Sequence, residues 1–224
     1  MTPIARTRMA PTAARPATLT RAALAVAVRE LAATDVGLAR IVARHGHPPL
    51  WARPGGFRTL VRIILEQQVS LASAATLFAR VDRELRGGWV PASVVRAGER
   101  GMRAHGLTRQ KSAFVVALTE RSAEDPGWFA RLARASDDDA RAALTSLHGI
   151  GPWTASIYLL MVLRRPDVWP TGDLALHKAI GRLRGQRATP TSEQAMRHAE
   201  RWAPHRSTAA RILWHGYLAD ARGR

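Results

Sequence analysis

Cysteine is absent from this 224-residue chain. That excludes disulfides, thiolate zinc sites and a cysteine nucleophile. Lysine is nearly absent as well: Lys111 and Lys178 stand alone, so the positive charge is carried by arginine. Acidic residues number 17 against 34 Lys and Arg, leaving a formal charge of +17 and a pI near 11.8. No apolar run approaches the roughly 18 residues that cross a bilayer, which argues against membrane insertion. The eight histidines show no HExxH or other close metal-ligand spacing. Alternating strand patterns and internal repeats are missing too. What remains is an all-α protein of one medium domain, or two lobes sharing a core, with a polyanionic partner. Arginine suits such a partner because its planar fork contacts phosphate through two N–H groups.

Residues 1–18 carry Arg6, Arg8 and Arg15, three prolines and no acid, and are expected to form a disordered basic tail. Their composition has something of an organelle transit peptide, and a DNA-contacting arm fits equally. The remainder, 19–224, reads as the functional domain. Residues from Leu19 to about Arg44 are helical in pattern with a break expected near Gly37, and a Pro- and Gly-rich loop runs from His47 to Gly56. Phe57 to Leu65 and Leu71 to Leu85 carry apolar residues at helical spacing, with Glu66-Gln67-Gln68-Val69-Ser70 between them and Ser70 placed to cap the second helix. Gly87, Gly88 and Pro91 break the next turn, and Asp125-Pro126-Gly127 ends the amphipathic unit after Lys111.

The stretch Leu147 to Asp173, LHGIGPWTASIYLLMVLRRPDVWPTGD, organises the chain. Its two glycines, Gly149 and Gly151, allow positive φ and close backbone approach, and Pro152 suits the first turn of a new helix. Ser136 with Asp139 resembles a capping box. A helix over roughly 137–146 therefore leads into the hairpin, and one over roughly 152–163 leaves it. This is a helix-hairpin-helix spanning about 137–163, whose free amides and helix N-terminus suit a DNA phosphate. An ordinary tight turn between helices would use the same glycines. Replacing either glycine by valine is expected to weaken DNA binding and leave a folded protein.

Downstream, Arg164-Arg165-Pro166 and Asp167 to Asp173 form a turn-rich loop, and a helical pattern resumes at Leu174. Asp173 thus falls at a helix N-cap, a position that favours a carboxylate through amide hydrogen bonds and the helix dipole. A structural cap and a catalytic carboxylate are compatible roles. Asp167 is the rival acid, more naturally a loop cap or ion-pair partner.

These residues resemble the helix-hairpin-helix, Gly/Pro-rich loop, aspartate (HhH-GPD) superfamily of DNA base-excision glycosylases, most closely its 3-methyladenine DNA glycosylase II (AlkA-like) branch. The resemblance rests on LxGIGxWTA, on an aspartate 20 residues beyond Trp153, on FRTLVRIILEQQVSLASAATLFARV upstream and on AERWAPHRSTAARILW downstream. It implies a two-lobed helical fold with a cleft between the lobes. It also implies a monofunctional glycosylase that removes alkylated purines such as 3-methyladenine from double-stranded DNA as a monomer.

Residue by residue, the resemblance makes Asp173 the catalytic carboxylate, places Trp153 and Trp214 in the base pocket, and puts Gln68 at the position that fills the gap left by a flipped base. Ile157 and Leu174 stand where tyrosines occur in the family's Escherichia member. Trp153 occupies the hairpin position of the Schiff-base lysine in strand-cutting relatives, and tryptophan cannot form that adduct. A sodium or potassium ion held by the backbone carbonyls of Thr145, Leu147 and Ile150 is implied as well; no other cofactor is required, and the missing cysteines exclude the iron–sulfur cluster of some relatives. A cytoplasmic, nucleoid-associated location follows if the source is bacterial. A glycosylase for uracil, hypoxanthine or oxidised guanine, and a non-catalytic DNA-binding module, are the alternative readings.

Overall fold

The computed structural model describes residues 16–222. The tail expected at 1–18 lies, for residues 1–15, outside the described residues. Among the described residues there are twelve α-helices and a short 3-10 turn at Glu200–Trp202, with no strand. In chain order the helices are α1 (Arg21–Thr34), α2 (Val36–His45), α3 (Phe57–Glu66), α4 (Leu71–Glu84), α5 (Pro91–Ala104) and α6 (Arg109–Glu124). They continue with α7 (Trp128–Arg134), α8 (Asp137–Thr145), α9 (Pro152–Met161), α10 (Leu174–Leu183), α11 (Ser192–Ala199) and α12 (Arg206–Arg222). None is long and apolar enough to cross a membrane.

The helices divide into two lobes by what they bury. α3 packs on α4 and α6, α5 on α6, and α8 on α7 and α9. The second lobe joins the first and last of the described helices, with α12 packed on α1, α2 and α10. α9 contacts α3 and supplies the hinge of the core: Thr154 to Leu160 are buried without interruption. A helix apolar on all sides belongs between layers rather than at a surface. The expected all-α, two-lobed architecture is thus the one observed.

Local chemistry explains most boundaries. Ser70, Thr108, Ser136, Asp173 and Thr191 each accept a backbone N–H from the first turn of the helix they precede. Ser136 caps α8 without the expected reciprocal box, because Asp139 accepts the Ser136 hydroxyl instead of its amide. α9 ends two residues earlier than the pattern predicts: Leu163 N–H turns back to Tyr158 O at 3.1 Å and Arg164 adopts a left-handed φ of 55°. Such a closure satisfies carbonyls at a helix end.

The break between α1 and α2, expected near Gly37, falls two residues earlier at Asp35. Asp35 caps α2 by accepting Leu38 N–H, and its other oxygen accepts Trp202 Nε1 at 2.8 Å. Gly37 lies inside α2, where an added Cβ would meet the Leu183 side chain at 2.6 Å. Its role is close helix packing rather than termination.

Candidate active site

A cleft of about 1750 Å³ opens between the lobes. Its walls are the loop at Trp51 to Arg53, the α3–α4 turn, the α8–α9 hairpin, the start of α10 and one face of α12. Every site residue expected from the sequence lines it: Gln68, Thr145, Leu147, Gly149, Ile150, Gly151, Trp153, Asp173 and Trp214. Ile157 and Leu174 line it as well, the first buried and the second 58% exposed.

Asp173 is 9% exposed at the start of α10. Its Oδ1 accepts Leu176 N–H at 2.9 Å and Trp214 Nε1 at 3.2 Å, and its Oδ2 accepts Trp153 Nε1 at 2.9 Å. Three donors face an acceptor-only group, the arrangement that suits a carboxylate rather than a carboxylic acid. A carboxylate has about four acceptor positions, so roughly one remains for water or a reacting sugar. Trp153 and Trp214 therefore do more than supply indole faces: they orient the carboxylate. Trp51, which the sequence did not single out, packs edge-on against Trp214 at 6.5 Å between ring centroids.

Asp167 has the ion-pair role expected of it. Arg206 donates to both its oxygens, at 2.8 and 2.7 Å, and the Arg206 amide adds a third bond at 3.1 Å. Those bonds hold the Asp167 carboxyl below its ordinary range although burial opposes them, and Asp167 is not among the cleft-lining residues.

The hairpin uses its glycines differently. Gly149 has φ 84°, and a Cβ there would fall 2.0 Å from the Phe114 ring. Gly151 has φ −88° in extended backbone, with nothing within 4 Å of an added Cβ. Gly149→Val is consequently a folding lesion, contrary to the expectation that both valine variants stay folded, whereas Gly151 has room. The amides of Gly149 and Gly151 donate to no acceptor among the described residues, and α9 begins without a side-chain cap. Together they leave an anion-binding helix N-terminus open to the cleft.

Gln67, also missed by the sequence reading, ties the α3–α4 turn to the α8–α9 hairpin. Its Nε2 donates to Gly149 O at 3.0 Å and to Thr154 Oγ1 at 2.9 Å. Gln68 beside it is exposed, with a left-handed φ of 57°. A non-glycine residue in that region is uncommon and costs about 1 kcal/mol or more, so the surroundings hold the turn in place. Lys111 contributes by donating to Leu65 O at 2.7 Å at the end of α3. Behind the loop at Trp51, Arg211 is fully buried and donates to Leu50 O, Ser207 O and Leu160 O at 2.8 to 2.9 Å, fastening that loop to α9 and α12. Burial lowers its pKa to about 10, which still leaves it charged at neutral pH.

The family model described as HhH-GPD superfamily base excision DNA repair protein matches residues 61–205, a span that holds the Gln67 turn, the hairpin and Asp173. The chain belongs to the HhH-GPD superfamily. Among its relatives, the Bacillus subtilis protein named putative DNA-3-methyladenine glycosylase YfjP is 26% identical over 81% of this chain and 66% of its own length. DNA-3-methyladenine glycosylase 2 of Escherichia coli is 30% identical over 73% of this chain and 61% of its own. The chain thus spans about two thirds of the length of these HhH-GPD relatives. In three dimensions, the Schizosaccharomyces pombe 3-methyladenine DNA glycosylase Mag1, in complex with abasic DNA, superposes with a TM-score of 0.77. That likeness covers 86% of this chain and 95% of Mag1 at 24% identity, and it shows the fold.

Proposed function

We propose that this HhH-GPD protein is a monofunctional DNA glycosylase. It hydrolyses the N-glycosidic bond of alkylated purines such as 3-methyladenine in duplex DNA and leaves an abasic site. The observation that carries this reading is Asp173, held in the interlobe cleft by the N–H groups of two tryptophans whose rings line the same space. Simple DNA binding requires no such carboxylate. The relatives named as 3-methyladenine glycosylases support the substrate class.

The chemistry follows from the geometry. An alkylated purine already carries positive charge, so it leaves with the bonding electron pair without much protonation. The sugar is left cationic in character, and a preorganised negative group beside it lowers the barrier. Asp173 is that group, and its remaining acceptor position also orients a water whose oxygen bonds to the sugar carbon as a proton departs. The two indole faces favour a cationic ring by stacking and cation–π attraction.

The hairpin amides and the start of α9 receive a backbone phosphate, with the exposed Lys178 on the cleft rim adding charge. Gln68, at the tip of its strained turn, is placed to enter the stack when a base leaves it. The carbonyls of Thr145 and Ile150 accept no backbone hydrogen bond among the described residues, and Leu147 O accepts only Ile150 N–H. Three underused carbonyls at the end of α8 and the hairpin fit a hard monovalent cation. Such an ion would supply positive charge to the bound phosphate. Neither lysine takes the position of Trp153, so strand cutting through a Schiff base has no nucleophile at the hairpin.

The test is chromatography of free bases released from dimethyl-sulfate-treated duplex by the wild type and by Asp173→Asn. Asparagine is an equally good N-cap, so the fold is kept while the charge is lost. The expected result is 3-methyladenine release by the wild type and a loss of roughly a hundredfold or more in the variant. Equal release by both proteins rules out Asp173, and strand breaks without alkali rule out the monofunctional mechanism.

A further inference from the structure

Glu66 is the second carboxylate of the cleft, and the mechanism above does not use it. Among the cleft-lining residues only Glu66 and Asp173 are acids. Glu66 ends α3 with its side chain 5% exposed. Arg53 Nη1 donates to its Oε2 at 2.8 Å, and Arg62 Nε lies 3.4 Å from its Oε1. Withdrawing a carboxylate from water is costly unless partners compensate. Here they do so incompletely: one short hydrogen bond and one long contact leave about two of its four acceptor positions open. Asp173, by contrast, has three filled. Trp51, Trp153 and Trp214 line the same space.

We propose that Glu66 is a specificity-determining residue that gives this cleft its preference for a positively charged base, an inference that rests on the glycosylase reading. Arg53 and Arg62 hold the carboxylate in place, and it lines the cleft that a flipped purine enters. A fixed charge in a site emptied of water acts at a lower effective dielectric than in solution. A cationic alkylated purine gains that attraction in addition to stacking on indole. A neutral purine of the same shape gains the stacking alone. The competing account is a tether, in which the Arg53–Glu66 pair merely fastens the loop before α3.

Two variants separate these accounts. Glu66→Gln keeps the size and removes the charge, while Arg53→Gln breaks the tether and keeps the charge. Affinity is measured for a duplex carrying 7-methylguanine on a 2′-fluorinated sugar, whose glycosidic bond resists cleavage because fluorine disfavours the sugar cation. The same duplex with guanine in that position is the reference. The wild type is expected to prefer the methylated duplex. Glu66→Gln is expected to cut the preference by about fivefold or more, a loss of about 1 kcal/mol, whereas Arg53→Gln retains or sharpens it.

A wild type without preference, an unchanged preference in Glu66→Gln, or equal losses in both variants overturns the proposal. Because binding is read apart from bond cleavage, a wild type that prefers the cationic base yet releases none from methylated DNA refutes the glycosylase reading and not the role of Glu66.

Discussion

Trp153 Nε1 donates to Asp173 Oδ2 at 2.9 Å, across 20 residues of sequence that hold the rest of α9 and the loop after it. Together with the bond from Trp214 Nε1 at 3.2 Å, it fixes the carboxylate plane. Trp153→Phe and Trp214→Phe each keep an aromatic face and remove one donor. A hydrogen bond to a charged group contributes about 1.5–3 kcal/mol. Single-turnover base release should therefore fall roughly tenfold to a hundredfold in either variant, with affinity for damaged duplex nearly unchanged. A loss confined to affinity would mean that the indoles act on the base alone.

The two hairpin glycines should part company on substitution. Gly149→Ala places a methyl group inside the van der Waals radius of Phe114 and demands a strained φ of 84°. Its thermal midpoint should drop by several degrees or the protein should fail to fold. Gly151→Ala has free space and an ordinary backbone, so it should melt like the wild type. With its methyl at the phosphate approach, it should bind duplex about tenfold more weakly. Unaltered binding by a folded Gly151→Ala would take the hairpin out of the interface.

Acid should destabilise the protein through His198. This side chain is 5% exposed on α11, edge-on to Trp202 at 4.9 Å, with neither ring nitrogen hydrogen-bonded among the described residues. Burial, with Arg201 and Arg184 nearby, lowers its pKa to about 4. An unfolded histidine titrates near 6.5, so between those values the unfolded chain holds a proton that the folded chain rejects. The contribution is complete above about pH 6.5 and is lost as pH falls toward 4. Burial lowers the pKa of His177 in the same direction. Melting curves at pH 7 and pH 5 should show a decline on the order of 1–2 kcal/mol that His198→Phe reduces; an identical decline in the variant would place the acid sensitivity elsewhere.

Much of the site was legible in the sequence because its signals are local. Ser136, Pro152 and the Gly149–Gly151 spacing mark the hairpin within a few residues of the backbone they shape. Asp173 announces itself as a cap through the loop before it and the helical period after it. The apolar spacing of α3, α4 and α9 gave their extents to within one or two residues, and that of α10 gave its start, since periodicity follows directly from helix geometry. What eluded the reading was long in range or decided by competition between partners. Asp35 breaks the first helical stretch because it serves Leu38 N–H and Trp202 Nε1 at once, a contact spanning 167 residues. Arg211 reads as one more surface arginine until its three carbonyl partners are known.

The chain's composition, periodicity and caps determined an all-α, cysteine-free, basic protein with a helix-hairpin-helix followed by a capped aspartate. Those features depend on neighbours within a turn or two of helix, where covalent geometry fixes what can meet. Tertiary structure alone decided that Gln67 reaches Gly149 across 82 residues, that Trp214 meets Asp173 across 41, and that Glu66 shares their cleft. Side-chain partners so far apart in sequence are chosen by how the helices pack, and packing is a property of the whole chain rather than of any stretch within it.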